Sequence, residues 1–255
     1  MKKGALAWIG MVCMLLIMMG CSNSATGNSG QEVTISAAAS LSDAMEEVAA
    51  LYEEAHPDVD LSFNFGGSGS LQQQISQGAP ADLFISAAED KFQLLLDEGV
   101  IDPSANTEFL GNSLVLITPE DGKALAPEDL NHIGKISIGT PSAVPAGMYA
   151  REALESLDIF KEVEEDIVYA KDVRQVLSYV ETGNVEAGIV YHTDALLSSK
   201  VKVVHEFPAS LHTAITYPAG VVEDSPNHET AVEFYEFLQS EAALKVFEAY
   251  GFTVQ

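Results

Sequence analysis

The chain has 255 residues, of which 47% are hydrophobic and 20% are charged. This composition fits one large or two modest globular units and excludes a disordered or fibrous chain. Lysine and arginine number 12 against 38 aspartate and glutamate residues, which gives a formal net charge of −26. A field of that sign repels nucleic acids and anionic lipid headgroups, so we expect no nucleic-acid partner.

The N-terminal segment has the pattern of a bacterial secretory signal. Two lysines precede an uninterrupted apolar run of 15 residues at 5–19, whereas a membrane-spanning helix needs about 20. The run ends just before Cys21 in a sequence that resembles a lipobox. We therefore predict a signal peptide at 1–20, a lipidated Cys21 and a flexible lipid-anchored tether at 21–30. Ordinary signal cleavage and an uncleaved anchor are the alternatives.

From residue 33 onward, short β-branched runs alternate with helical patterns, which is typical of α/β architecture. Apolar residues at helical spacing predict an amphipathic helix at 41–55 and a C-terminal helix that ends before Gly251. The chain is longer than the commonest domain size of about 100 to 150 residues, so two α/β lobes with a ligand cleft between them are expected. The predicted strands are 33–36, 61–65, 83–86, 114–117, 136–139, 167–169, 187–191, 201–204 and 214–217.

Two polar turns in the N-terminal half lie where a predicted strand ends and a helix begins. Ser40 and Asp43 form the S-x-x-D pattern of a helix N-terminus. Ser68 lies in a glycine and serine turn at 66–70, ahead of a helix that we expect to begin at Ser70. The backbone N–H groups of such a turn can surround an anion. The alternatives are a simple helix cap and an ordinary loop.

Three similar positions follow in the C-terminal half. Pro145 is predicted as the first residue of a helix, which leaves the N–H of Ala146 without an acceptor. Residues 170–173 open another helix, and its first turn contains Val173. Tyr191 ends a predicted strand and offers a phenol at the carboxyl edge, where open α/β sheets bind ligands. A buried packing role is the alternative for this tyrosine.

Seven segments, taken in order, resemble the molybdate-binding proteins of bacterial ABC importers. They are AAASL at 37–41, GAPADLFISA at 78–87, LGNSL at 110–114, VPAG at 144–147, DVR at 172–174, GIVY at 188–191 and YGF at 250–252. The resemblance implies a type II periplasmic-binding-protein fold of two lobes, with two crossover strands as the hinge. Lobe one would comprise 31–113 plus 220–255, and lobe two would comprise 114–219.

The same resemblance implies roles for five residues in binding the oxyanion. Ser40 and Ser68 would donate hydroxyl hydrogen bonds from lobe one. Ala146 and Val173 would donate backbone N–H groups from lobe two, and Tyr191 would donate its phenol.

The implied function is extracytoplasmic capture of molybdate or tungstate, without catalysis, a cofactor or side-chain metal ligands. The implied partners are the transmembrane subunits of an ABC permease and the cell membrane, which the lipid on Cys21 would reach. We expect a monomer. The chain departs from the family pattern at Gly67 and Gly69, where relatives often carry serines, and this leaves the number of hydroxyl donors at the turn open.

The expected donor set suits a dianion that carries no proton. Molybdate is fully deprotonated at neutral pH, so all of its oxygens accept hydrogen bonds. Phosphate keeps a proton at neutral pH and needs an acceptor, so a site built only of donors disfavours it. Sulfate must be distinguished by size, and tungstate is nearly equivalent to molybdate.

Other functions remain open from the sequence. A binding protein for another oxyanion such as sulfate is the main alternative. A serine hydrolase is another, because residues 66–70 nearly match G-x-S-x-G, although Ser70 replaces the final glycine. The histidines show no H-E-x-x-H spacing and the acidic residues form no D-x-D-x-D-G loop, so no metal site is expected. A structural or adhesive lipoprotein would need no closed polar cleft.

Overall fold

The computed structural model describes residues 31–255, so the predicted signal peptide, Cys21 and the tether at 21–30 lie outside the described residues. The strands of this part are β1 (Gln31–Ala38), β2 (Val59–Gly66), β3 (Leu83–Ile85), β4 (Ile101–Gly111), β5 (Leu114–Pro119), β6 (Ile136–Gly139), β7 (Ile167–Ala170), β8 (Ala187–Tyr191), β9 (Val201–Glu206), β10 (Thr216–Val222) and β11 (Thr253–Val254). The α-helices are α1 (Ser42–Ala55), α2 (Ser68–Ser76), α3 (Glu89–Asp97), α4 (Pro145–Ser156), α5 (Phe160–Val163), α6 (Val173–Glu181), α7 (His192–Leu196), α8 (His228–Leu238) and α9 (Glu241–Ala249).

The strands form two mixed sheets. A six-stranded sheet has the order β11-β4-β10-β3-β1-β2, and a five-stranded sheet has the order β7-β6-β8-β5-β9. In the first sheet β1 pairs in parallel with β2 and β3, and in the second β6 pairs in parallel with β7 and β8. The described chain passes between the sheets twice, after β4 and after β9. The α/β class with two lobes is therefore confirmed.

The central strands are buried because helices cover their sheets. All residues of β3, β6 and β8 are buried, as expected for strands with both faces covered. In α6, Val173, Val176 and Val180 fall at helical spacing and are buried. This apolar face packs the helix against its sheet and fixes the position of its N-terminus.

Two strands were not predicted, and one was predicted out of place. The unpredicted strand β4 contains Pro103 and several polar residues, and its pairing with β10 is interrupted by two register shifts. The unpredicted β11 has only two residues. For β10, predicted at 214–217, the sequence suggests a stop at Pro218, yet this proline lies at a register shift. A proline at such an irregularity removes no regular ladder hydrogen bond, so the strand continues to Val222.

The structure also bears on the proposed division of the chain. The boundary predicted after residue 219 falls inside β10, which pairs within the six-stranded sheet from Thr216 onward. Residues 216–219 therefore lie with the first sheet and not with the second. The other lobe boundaries stay predictions.

Candidate functional site

Five residues singled out in the sequence line one cavity between the two sheets. The cavity is small, and the centre of a water-sized sphere can occupy only about 10 Å³ of it. Ser40 and Ser68 reach it from the lobe of the six-stranded sheet, and Ala146, Val173 and Tyr191 reach it from the other lobe. All five residues are buried. The remaining lining residues are small or apolar, namely Ala38, Ala39, Gly66, Gly67, Ala87, Val144 and Pro145. Among the lining residues there is no charged side chain.

Ser40 lies in a short 3-10 turn between β1 and α1 and does not cap the helix. The residue that precedes α1 is Leu41, and no side chain caps the helix there, so the S-x-x-D interpretation is wrong. The Ser40 Oγ atom instead lies 3.0 Å from the Tyr217 hydroxyl oxygen on β10. The Ser40 hydroxyl therefore forms a long-range hydrogen bond with Tyr217 in place of the predicted helix cap.

Ser68 is the first residue of α2, so this helix begins two residues before the predicted start at Ser70. The backbone N–H of Ala87 donates to Ser68 Oγ at 2.9 Å. Because this hydroxyl oxygen already accepts a hydrogen bond, its own proton is available to an acceptor in the cavity. No histidine is among the hydrogen-bond partners of Ser68 in the described chain. The hypothesis of a serine hydrolase therefore lacks a general base at this serine.

The second lobe presents backbone N–H groups at two helix N-termini. Ala146 follows Pro145 in the first turn of α4, as predicted. Val173 is the first residue of α6, and the side chain of Asp172 caps this helix by accepting from the N–H of Gln175. N–H groups in a first helical turn have no acceptor within the helix and carry the positive end of its dipole. Both helices thus present anion-binding groups to the cavity.

Tyr191 ends β8 and has a fully buried hydroxyl. No hydrogen-bond partner of this oxygen is present among the described residues. Burial raises the pKa of Tyr191 well above its ordinary value, so the phenol keeps its proton. A buried polar group without a partner costs about 1 to 3 kcal/mol. An acceptor in the cavity would remove that cost, and the donor set therefore fits an anion.

The two lobes touch at the edge of the cavity. The N–H of Gly69 donates to the carbonyl oxygen of Ala143 at 3.0 Å. The Tyr149 hydroxyl on α4 donates to the carbonyl oxygen of Ala87 at 3.3 Å. A Cβ atom at position 67 would lie 2.7 Å from the Ala143 oxygen. The backbone of Gly67 has φ −67° and ψ 129°, which any residue adopts, so this position requires glycine for space and not for conformation.

Arg174, next to Val173, pairs with one carboxylate of the other lobe and with one of its own lobe. Arg174 forms an ion pair with Asp43 on α1 of the first lobe, and its Nε atom lies 3.0 Å from an oxygen of Asp194 on α7. Asp194 is fully buried. Burial raises the pKa of Asp194 to about 7, although the charge of Arg174 opposes this rise.

Sequence reasoning missed the residues behind Ser40. Tyr217 is hydrogen-bonded to Ser40, 177 residues away in the chain, and to Asn112, 105 residues away. In the sequence, Asn112 is marked only by the LGNSL segment. In residues 31–255 no helix is long and apolar enough to cross a membrane, and the same residues contain no group of three or more potential metal ligands.

Comparisons with known proteins identify the family of this chain. The model of a family described as "Bacterial extracellular solute-binding protein" matches residues 33–253. The chain therefore belongs to this family of bacterial extracellular solute-binding proteins. These are transport proteins, and the predicted extracytoplasmic location is consistent with membership.

Individual relatives narrow the group. The chain is 49% identical to YvgL of Bacillus subtilis (strain 168), by its name a candidate ABC transporter substrate-binding lipoprotein, over 97% of each chain. It is 36% identical to the molybdate-binding protein ModA of Escherichia coli (strain K12), over 97% of this chain and 98% of ModA. The predicted resemblance to the molybdate-binding proteins is thus confirmed.

A solved structure supports the architecture. The periplasmic molybdate-binding protein of Azotobacter vinelandii superposes with a TM-score of 0.79, at 21% identity, and covers 88% of this chain and 99% of its own. Identity at this level shows the fold alone. The predicted two-lobed periplasmic-binding-protein fold is confirmed.

Proposed function

We propose that this protein captures molybdate, and also tungstate, in the cavity between its lobes and delivers the anion to an ABC permease. The observation that carries this proposal is the donor set. Ser40, Ser68, Ala146, Val173 and Tyr191 converge on one cavity, and no carboxylate lines it. Each group can donate a hydrogen bond, and a proton-free oxyanion only accepts.

The magnitude of binding is adequate without a charged side chain. A hydrogen bond to a charged group contributes about 1.5 to 3 kcal/mol, and five residues with hydroxyl and amide donors can supply at least five such bonds. The association cost of at least about 4 kcal/mol offsets part of this gain. The remaining gain of about 3.5 to 11 kcal/mol corresponds to dissociation constants from the millimolar to the nanomolar range, and the helix N-termini strengthen the binding.

Donors from both lobes imply that the anion stabilises the closed form. We assign lobe one to 31–113 plus 216–255 and lobe two to 114–215. An anion held by both lobes favours their contact at Gly69 and Ala143, and the permease would recognise that contact state. Carboxylates at the tips of the lobes would dock onto basic residues of the permease.

The location follows from the N-terminal pattern and from the relatives. Lipid on Cys21 would hold a monomer at the outer face of the cell membrane, and multiple acyl chains anchor firmly. The name of YvgL includes the word lipoprotein. A Cys21→Ser variant that is released into the medium would support the anchor, whereas one that stays with the membrane would contradict it.

Competitive calorimetry tests the ligand. We expect molybdate and tungstate to bind the purified protein, sulfate to bind more weakly, and phosphate to bind least. Ser40→Ala and Ser68→Ala should each weaken molybdate binding. Tyr52→Phe is a matched control, because Tyr52 is buried on α1 outside the cavity lining. Tightest binding of sulfate or phosphate would overturn the molybdate proposal.

A further inference from the structure

The hydroxyl of Ser40 is connected to a chain of buried polar groups behind the cavity. Tyr217 Oη lies 3.0 Å from Ser40 Oγ and 3.2 Å from Asn112 Nδ2. Asn112 Nδ2 also lies 2.9 Å from Thr193 Oγ1. Ser40, Tyr217 and Thr193 are buried, so each proton in this chain needs an acceptor within it or in the cavity.

The backbone fixes the direction of the chain at Asn112. The N–H of Ser113 lies 2.9 Å from the side-chain oxygen of Asn112. A backbone N–H can only donate, so the atom that faces it must be the carbonyl oxygen of the amide. The reversed amide would set two donors against each other. The NH₂ group of Asn112 is thus directed at Tyr217 and Thr193, one hydrogen for each.

The direction then passes from residue to residue. Tyr217 accepts from Asn112, and its single proton has Ser40 Oγ as its one remaining partner among the described residues. If Ser40 donated to Tyr217 instead, the Tyr217 proton would be buried without an acceptor, at the usual cost of an unmade hydrogen bond. Burial raises the pKa of Tyr217, which keeps that proton in place at neutral pH. Ser40 Oγ therefore accepts a hydrogen bond from the Tyr217 hydroxyl.

We infer that Asn112 and Tyr217 are positioning residues that hold the Ser40 hydroxyl as a donor to the cavity and thereby exclude oxyanions that carry a proton. Ser68 has the equivalent arrangement, since the N–H of Ala87 occupies its oxygen. Tyr191, Ala146 and Val173 donate as well. A proton on the bound anion would face donors on every side. This inference rests on the proposed oxyanion site and extends it to the cause of its selectivity.

Reversal of the chain at Asn112 is the direct test, and removal of the Tyr217 hydroxyl is its control. In Tyr217→Phe the Ser40 proton has the bound anion as its one remaining acceptor, so the hydroxyl still donates to the cavity. Phosphate and sulfate are similar in size and differ in the proton, so their affinity ratio isolates the orientation of Ser40 from any change in cavity shape. We expect the ratio of phosphate to sulfate affinity, measured by calorimetry at neutral pH, to stay unchanged in Tyr217→Phe.

Asn112→Asp is the variant that reverses the chain. A carboxylate at 112 can only accept, so Tyr217 donates to it and Ser40 donates to Tyr217, which leaves Ser40 Oγ able to accept from the anion. The new charge should weaken molybdate and sulfate binding, yet the phosphate-to-sulfate ratio should rise about tenfold. Tyr52→Phe, which removes a buried hydroxyl outside the cavity, should leave the ratio unchanged. Thermal unfolding of each variant establishes that it is folded.

The outcomes separate this inference from the proposed function. If the unaltered protein fails to bind molybdate, the proposed function is wrong. If it binds molybdate and the folded Asn112→Asp variant keeps the original phosphate-to-sulfate ratio, the positioning role of Tyr217 and Asn112 is overturned. A rise of the ratio in Tyr217→Phe also contradicts the inference, because the ratio would then not report the direction of the Ser40 hydroxyl.

Discussion

The contact of Gly69 with the opposite lobe gives the sharpest prediction. A Cβ atom at this position would lie 2.9 Å from Ala143 Cα and 3.0 Å from its carbonyl oxygen. Both neighbours are backbone atoms, which cannot move aside as a flexible side chain can. In Gly69→Ala the lobes must therefore separate slightly, and the Gly69 to Ala143 hydrogen bond of 3.0 Å lengthens. Overpacking of this kind costs about 1 to 3 kcal/mol.

This cost falls on the closed form alone. When the lobes are apart, the new methyl group meets solvent, and alanine in a helix is favoured over glycine by about 1 kcal/mol. We therefore expect molybdate affinity to fall roughly 5- to 100-fold, while the free energy of unfolding of the ligand-free protein stays constant or rises. Calorimetry measures the first quantity and urea denaturation without ligand measures the second. The opposite signs distinguish impaired closure from general damage.

Ser70→Ala is the matched control for this substitution. Ser70 is the next residue of α2, lies outside the cavity lining, and its change to alanine adds no atom. Its affinity for molybdate should remain near that of the unaltered protein. Wild-type affinity in Gly69→Ala would refute the reasoning, because it would mean that the lobes do not meet at Ala143 when the anion is bound.

Three further predictions concern the hydroxyl, carboxyl and guanidinium groups around the cleft. Tyr191→Phe should weaken molybdate binding about tenfold or more, because a hydrogen bond to a charged ligand is lost. The ligand-free protein should remain at least as stable in urea, since the removed hydroxyl has no hydrogen-bond partner in the described residues. A clear loss of stability would indicate that the hydroxyl does have a partner in the ligand-free protein. Burial and the neighbouring Glu108 raise the pKa of Glu89 from 4.5 to about 7, so the folded state holds a proton that the unfolded state loses, and stability should decline as the pH rises from 4.5 to 7. Glu108→Gln should make the melting temperature fall less steeply across that range, and an identical slope would contradict the assignment. Arg174→Gln removes the charge that opposes the rise of the Asp194 pKa, so at a pH above about 7 it leaves a buried carboxylate unpaired and should destabilise the protein by about 3 to 5 kcal/mol in urea. Addition of Asp194→Asn should recover part of the loss; no recovery would show that the arginine acts elsewhere.

The sequence predicted the helix starts beside the cavity correctly. Pro145 and Asp172 mark these starts through backbone preferences that act within a few residues, so Ala146 and Val173 could be placed in first helical turns before the fold was known. Tyr191 could be placed at a strand end for the same reason. These positions depend on preferences of residues that are adjacent in the sequence.

The long-range part could not be read in the same way. Ser40 has the local pattern of a helix cap, and its actual partner, Tyr217, lies 177 residues further along the chain. The displaced prediction of β10, which carries Tyr217, has the same origin, since only pairing with β3 and β4 carries the strand through Pro218. Likewise the sequence around Gly67 and Gly69 is that of a flexible loop, and only the structure shows that the backbone of Ala143 in the opposite lobe leaves no space there for a side chain.

A protein with a net charge of −26 can still bind a dianion because the two effects act over different distances. Solvent and salt screen surface carboxylates beyond about 8 to 10 Å, whereas the donors of the cavity would touch the ligand. The cavity lining carries no charge, so its attraction comes from oriented N–H and O–H dipoles that cannot accept a proton. Neutral donors held in a fixed direction from both lobes would therefore account for the proposed affinity, closure and rejection of protonated anions together.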